Sequence, residues 1–159
     1  LGLPYAFASH FAPDLLAGAL DAYRSGFHAS EQLERPYAMV GINVVAADSD
    51  AEAAHLFTSQ QVQSVDMIRG RRCQLVPPID DMETYWTGIE KPTVEHKLTY
   101  SFVGSAETVR KGVAALVADT QADEIIATAR IFDPSACLRS LQILAEVRRD
   151  LAADAGTES

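Results

Sequence analysis

His10 is the residue near the start of the chain whose type and position best suit chemistry. It follows an apolar stretch that begins at Tyr5, and it precedes Pro13, which suits the first turn of a helix. An imidazole at the end of a strand can donate or accept a proton near neutral pH. The alternative interpretation is that His10 and Ser9 only close the turn between strand and helix.

Arg69, Arg71 and Arg72 form the second candidate site, at the end of a long helical pattern. Guanidinium groups suit phosphate or carboxylate groups, so in an acidic chain this cluster is the predicted anion-binding site. The competing interpretation is a solvated helix end, where cations interact favourably with the helix dipole.

Asn43 interrupts an otherwise apolar run. Its amide points either toward a ligand or toward a backbone group that it satisfies, and the second interpretation is preferred. His28, His55 and His96 lack metal-ligand spacing, so the sequence predicts surface positions for them and no metal site. The chain also contains no Ser-His-Asp grouping, phosphate loop or dinucleotide fingerprint.

Three stretches of nearly continuous apolar character predict strands that are covered on both faces, as in a parallel sheet. These strands are expected at residues 5–9, 38–46 and 124–132. Helical periodicity between them indicates crossover helices, which favours a parallel α/β fold.

Helix starts are predicted at Ser49, at Ser105 and at the pair Asp133-Pro134, since these residue types cap helices or suit their first turn. A short helix is expected over residues 93–100. Residues 70–92 break the periodicity and predict an insertion. Its Tyr85 and Trp86 are expected to pack the insertion onto the fold, with a mobile lid over the substrate as the alternative.

Composition excludes several classes of partner. The formal net charge is −9 and the sequence pI is about 4.8, which disfavours nucleic acids and anionic membranes because both require a positive surface. Cys73 and Cys137 show no metal or redox spacing and are expected to be reduced thiols of a cytoplasmic protein. No apolar run reaches the length of a membrane span.

The chain opens at Leu1 and passes directly into a turn and a buried-type strand. We therefore expect a missing N-terminal part. Three parallel strands alone leave both edges of their sheet open, and a (β/α)₈ barrel, which has no open edge, needs eight strands. Residues 1–151 are expected to form one folded unit, followed by a flexible tail over residues 152–159.

Three segments resemble those of bacterial-luciferase-like monooxygenases. Residues 2–13 (GLPYAFASHFAP) resemble the sixth-strand segment of that family, and residues 122–126 (ADEII) the entry to its eighth strand. Residues 102–109 (FVGSAETV) resemble the segment before the last strand, with Ala106 in place of the usual proline. The resemblance extends to about residue 151 and implies the C-terminal part, strands six to eight, of a TIM-like (β/α)₈ barrel with an insertion.

The resemblance implies a flavin-dependent oxidoreductase that uses reduced FMN and O₂ on a small organic substrate, with a separate flavin reductase. A Trp near the flavin ring occupies the family position aligned with His10, so His10 and Ser9 are the expected cofactor contacts. The family's phosphate-holding loop would lie upstream of Leu1. The alternatives are a deazaflavin-dependent dehydrogenase of the same fold and a non-catalytic truncated relative. A homo-oligomer is also expected.

Overall fold

The apolar segment around residue 42 forms the central strand of the protein. The structure, a computed structural model, describes residues 2–72 and 74–157, with side chains through residue 153. In chain order its elements are β1 (Tyr5–Phe7), a 3₁₀ turn (Pro13–Leu15), α1 (Leu16–Ser25), β2 (Ala38–Ala46), α2 (Asp50–Ile68), a 3₁₀ turn (Met82–Thr84), α3 (Glu90–Lys97), β3 (Ser101–Gly104), α4 (Ala106–Thr120), β4 (Glu124–Thr128) and α5 (Pro134–Thr157).

All four described strands lie in one parallel sheet built around β2. Met39 and Val40 pair with both β1 and β4, whereas Asn43 pairs with both β3 and β4. Since a strand residue has one neighbour on each edge, β1 and β3 lie along the same edge of β2. The carboxyl end of β1 therefore lies next to the amino end of β3, and β4 occupies the opposite edge.

The parallel pairing of the three predicted strands is confirmed. The fourth strand, β3, corrects the prediction, because its four residues are too short to show periodicity. It forms where β2 extends beyond β1: the backbone N–H of Asn43 donates to Tyr100 O at 2.9 Å, and that of Ala47 to Gly104 O at 3.1 Å. The strands β1 and β4 are also shorter than predicted.

The two faces of the sheet differ in what covers them. One face carries the even-numbered side chains of β2, which form a buried core with α1, α4 and α5; we call it the helix face, and it consists of Ala38, Val40, Ile42, Val44 and Ala46. The opposite side, which we call the inner face, carries Met39, Gly41, Asn43 and Val45. The strand is thus buried on both sides over most of its length, as its continuous apolar character predicted.

All three predicted helix starts are confirmed, since α2 begins at Asp50, α4 at Ala106 and α5 at Pro134. Ser49 accepts the backbone N–H of Glu52 at 3.2 Å, and Asp133 accepts that of Ala136 at 2.8 Å. Ser105 is the N-cap residue of α4 as predicted, but its side chain makes no capping hydrogen bond. Its backbone N–H instead donates to Asp50 Oδ1 at 2.7 Å, and this bond holds the pKa of the Asp50 carboxyl below its usual value.

The described part of the segment expected as a flexible tail is helical, and its flexibility stays a prediction. The helix α5 continues to Thr157, and residues 158 and 159 lie outside the described residues. Ile143 and Val147 anchor α5 in the core, and alanines near residue 152 favour continuation of the helix. Among the described residues, no helix has the length and apolar character needed to cross a bilayer.

Candidate functional site

The inner face is open at one end and buried at the other. Ala6, Ala8 and Ile126 are exposed on it, whereas Asn43 and Val45 are buried. The helices α1, α4 and α5 pack on the other side of the sheet, and α2 packs against β2 and β3. The inner face therefore presents small and apolar side chains beside one buried amide.

A row of hydrogen-bonded side chains crosses three strands of the inner face. Asn43 on β2 is in register with Ser101 on β3 and with Thr128 on β4. The Thr128 hydroxyl donates to Asn43 Oδ1 at 3.0 Å, and Asn43 Nδ2 donates to Ser101 Oγ at 3.1 Å. We call these three residues the polar row. It confirms that Asn43 is a satisfied polar group, although its partners are side chains rather than backbone.

His10 lies at the carboxyl end of β1, on the inner face. Its backbone N–H donates to Gly41 O at 3.2 Å, which continues the pairing with β2 beyond Phe7. The imidazole lies against Gly41: a Cβ at that position would lie 2.9 Å from His10 Nδ1 and 3.0 Å from its Cε1. Only glycine gives this space, so the sequence of β2 determines where the ring lies.

The His10 side chain is half-buried. Its Nδ1 is buried and has no hydrogen-bond partner among the described residues, while the ring contacts Phe11 at a centroid distance of 4.2 Å. With Nδ1 against the sheet, Nε2 is the ring nitrogen that a ligand can meet. Contact with a flavin stays a prediction.

Ser9 has a clear structural partner. It is fully buried, and its hydroxyl donates to Gly41 O at 2.6 Å. The residue therefore closes the turn after β1, which was the alternative interpretation of this segment. Its proposed cofactor contact stays a prediction, but the hydroxyl hydrogen is already donated to the Gly41 carbonyl.

The three candidate arginines of the anion site do not converge. Arg69 donates from Nε and Nη2 to both oxygens of Glu90, at 2.7 and 2.8 Å, and Arg71 lies 3.4 Å from Asp66. Arg72 is exposed. Anion binding by this cluster stays a prediction, although Arg69, the most buried of the three, already binds the Glu90 carboxylate.

The pair formed by Arg69 and Glu90 attaches the insertion to α2. The Arg69 guanidinium lowers the pKa of Glu90 to about 2. Tyr85 donates its hydroxyl to Asp66 at 2.9 Å, and burial followed by this bond raises the pKa of Tyr85. Tyr85 and Trp86 pack against a second apolar cluster, which confirms that they anchor the insertion.

Arg130 is a candidate that the sequence did not single out. It lies two residues beyond β4, and it is half-buried. Its Nη2 donates to Oε1 of Gln63 on α2, and no described carboxylate lies within 4 Å of it. The available signal was its place directly after the last apolar strand, which is the position where parallel α/β sheets carry functional groups.

An apolar groove of about 690 Å³ lies on the helix side of the sheet, between α4, α5 and β4. Its lining includes Val113, Ile125 and Leu144, but no member of the polar row and not His10. Polar side chains also line this groove, and two of them, Tyr37 and Glu124, bond to each other while Asp123 accepts the backbone N–H of Ala38. His10 and the polar row lie elsewhere, on the inner face.

Within the described residues, no group of three or more His, Cys, Asp or Glu side chains could hold a metal ion. His28, His55 and His96 are exposed, as predicted. Cys137 is a free thiol, and Cys73 lies outside the described residues.

No protein-family model matches the chain. It is 48% identical over 151 residues to a protein named luciferase-like monooxygenase from Escherichia coli K12, a match that covers 95% of the chain and 45% of the relative. It is 42% identical to the uncharacterized protein YvbT of Bacillus subtilis 168, over 92% of the chain and 44% of that protein.

A solved structure titled crystal structure of apo-MsnO8 superimposes with a TM-score of 0.75 and 26% identity, over 94% of this chain and 46% of that one. The chain thus spans about half the length of the curated relatives it matches. These findings confirm the resemblance drawn from residues 2–13, 102–109 and 122–126. The chain is related to the C-terminal part of the luciferase-like monooxygenases.

Proposed function

We propose that this chain forms strands six to eight of a (β/α)₈-barrel monooxygenase that uses reduced FMN and O₂ on a small organic substrate. The observation that carries the proposal is the inner face, where His10 follows the carboxyl end of β1 and Thr128 of the polar row is the last residue of β4. Barrel enzymes build their active sites at that end of the strands. The 48% identical relative named luciferase-like monooxygenase supports the same class of activity.

The residues of the inner face fit part of a flavin site. Ala6, Ala8 and Ile126 give an exposed, mostly apolar surface against which a ring system can pack, and His10 offers Nε2 to a ligand, since its Nδ1 is buried against Gly41. A bound flavin supplies the electron-transfer and oxygen chemistry. These side chains would orient it and exclude water from one of its sides.

The proposal includes a separate flavin reductase as the source of reduced FMN, a homo-oligomeric assembly and a cytoplasmic location. The resemblance implies that the family's phosphate-holding loop lies upstream of Leu1, and Arg69 already holds Glu90, so most of the phosphate contacts are proposed to lie outside this chain. The FMN pocket would then be shared between this chain and the remaining half of a longer protein.

Parallel fluorescence titrations of FMN into the complete protein and into the 159-residue chain test the proposal. We expect saturable one-to-one binding by the complete protein and none by the chain, because ligand pockets enclose most of the ligand surface. A preference for a deazaflavin would support the dehydrogenase instead. A complete protein that binds neither cofactor would refute both, and tight binding by the chain would show that the site is misplaced.

The same titration with His10→Ala in the complete protein tests the placement of the cofactor. Loss of one hydrogen bond and of ring contact is expected to weaken FMN binding roughly three- to tenfold. His28→Ala is the matched control, since His28 is exposed and its ring contacts only the nearby Gly26 carbonyl. Equal affinities for both variants would reduce His10 to a turn residue.

A further inference from the structure

Arg130 differs from the carboxylate-paired arginines of the chain in the kind of partner it has; like Arg24, which donates to two backbone carbonyls, it has a neutral partner. Four arginines pair with carboxylates: Arg35 with Asp123, Arg69 with Glu90, Arg71 with Asp66, and Arg139 with Asp48. Arg130 is half-buried and donates to the neutral amide of Gln63. The chain has 22 acidic residues, yet no described carboxylate lies within 4 Å of the Arg130 guanidinium.

The hydrogen-bonding capacity of Arg130 is mostly unused. A guanidinium carries five N–H donors in a planar fork, and the bond to Gln63 uses one of them. Withdrawing a cation from water without an anionic partner is unfavourable. A planar fork with free donors matches the two oxygens of a carboxylate or a phosphate.

The position of Arg130 in the chain places this residue just beyond the candidate site. Thr128 of the polar row lies two residues before it, and β4 ends at Thr128. Because the strands are parallel, Arg130 lies farther toward the carboxyl ends than the polar row does. The hydrogen bond to Gln63 on α2 holds the Arg130 guanidinium in place, so the group is oriented before a ligand binds.

We propose that Arg130 binds an oxyanion, a carboxylate or phosphate group of the ligand that occupies the inner face. The ligand class rests on the proposed function, and the oxyanion belongs either to an acidic substrate or to the flavin phosphate. Gln63 acts as a positioning residue for the guanidinium. The Ser101 hydroxyl, which accepts from Asn43 and has no described acceptor of its own, supplies a second donor on the same face.

Isothermal titration of the complete protein with inorganic phosphate, benzoate, FMN and riboflavin, at constant ionic strength, tests this site. We expect at least one anionic probe to bind saturably, and Arg130→Gln to lower its affinity about tenfold or more, as for a hydrogen bond to a charged group. Arg130→Lys is expected to give an intermediate affinity, since lysine keeps the charge but not the fork. Arg139→Gln, which removes an exposed arginine already paired with Asp48, is the control and should bind as wild type.

The FMN and riboflavin titrations distinguish the two sources of the oxyanion. If Arg130→Gln removes the advantage of FMN over riboflavin, the bound group is the flavin phosphate. If that ratio is unchanged while benzoate or phosphate binding is lost, the group belongs to the substrate. Circular dichroism of each variant shows that the loss is not one of folding, and Arg130→Lys repeats the test with the charge retained.

The proposal is overturned if Arg130→Gln binds every probe as wild type does, or if the wild type binds no anionic probe. Its failure is distinct from failure of the proposed function. A protein that binds riboflavin but no anion retains the flavin assignment and loses the Arg130 site. A protein whose anion binding depends on Arg130 but which binds no flavin or deazaflavin retains the site and loses the proposed reaction.

Discussion

The two faces of β2 carry opposite kinds of side chain. On the helix face, Val40, Ile42 and Val44 are completely or almost completely buried in a single apolar cluster. On the inner face, Gly41 leaves space for an imidazole, and Asn43 joins the hydroxyls of two neighbouring strands. One strand thus serves as the centre of the core on one side and as the floor of the candidate site on the other.

The difference between the two faces of β2 shows on which side of the sheet a buried polar side chain finds hydrogen-bond partners. A buried amide without hydrogen-bond partners destabilises the folded state. Asn43 has partners because the register of β3 and β4 places Ser101 and Thr128 beside it. The helix face has no such constraint, since apolar burial there needs volume and shape. Stability and candidate chemistry are therefore separated by the alternation of side chains along one strand.

The largest effect is expected for Ile42→Ala on the helix face. Removing a fully buried side chain from the core should lower the free energy of unfolding by about 2–5 kcal/mol, because the cavity cannot fully collapse. Urea denaturation of the 159-residue chain measures this loss. The matched control is Ile126→Ala on the inner face, where Ile126 is 43% exposed, and its cost should be clearly smaller. Equal losses would contradict the assignment of the two faces.

A smaller effect is expected for Gly41→Ala. The new Cβ would lie 2.9 Å from His10 Nδ1 and 3.3 Å from Ala8 Cα, so the imidazole must move and the free energy of unfolding should fall by about 1–3 kcal/mol. The NMR signals of the His10 ring should shift at the same time.

Gly18→Ala is the control for Gly41→Ala. Gly18 lies within α1, and a Cβ there meets nothing within 4 Å. This change should stabilise the chain by about 0.5–1 kcal/mol, because alanine loses less backbone entropy in a helix. An unshifted His10 signal in Gly41→Ala would show that the ring does not rest on Gly41.

The smallest effect is expected for Glu90→Gln in the insertion, where the contribution of the Glu90 carboxylate to stability depends on pH. The pKa of Glu90 falls from 4.5 to about 2 in the folded chain because Arg69 binds its carboxylate. The depressed pKa means that this contribution to stability is complete above about pH 4.5 and is lost as the pH falls toward 2. Glu90→Gln should therefore lower the melting temperature at pH 7 and have less effect near pH 2.

Glu34→Gln is the control for the pH series, since Glu34 is exposed and has no described side-chain hydrogen bond. Its melting temperature should follow that of the wild type at each pH. If Glu90→Gln also does so, the link between Arg69 and Glu90 does not stabilise the insertion.

Local patterns in the sequence determined much of the framework. Continuous apolar character identified β2 as a strand of a parallel sheet, and residue types at Ser49 and Asp133 identified two helix starts. The end of the first apolar stretch also placed His10 correctly, just after the first strand. These features depend on neighbours within a few positions, so periodicity and capping chemistry are sufficient to find them.

Only the tertiary structure decided which polar groups meet. Asn43 and Thr128 are 85 positions apart, Asn43 and Ser101 are 58 apart, and Arg69 and Glu90 are 21 apart. The sequence could not show that Arg69 is neutralised while Arg130 meets a neutral amide, because the partner of a charge is set by the packing of distant elements. The short strand β3 formed for the same reason, since its pairing partner is the uncovered half of β2.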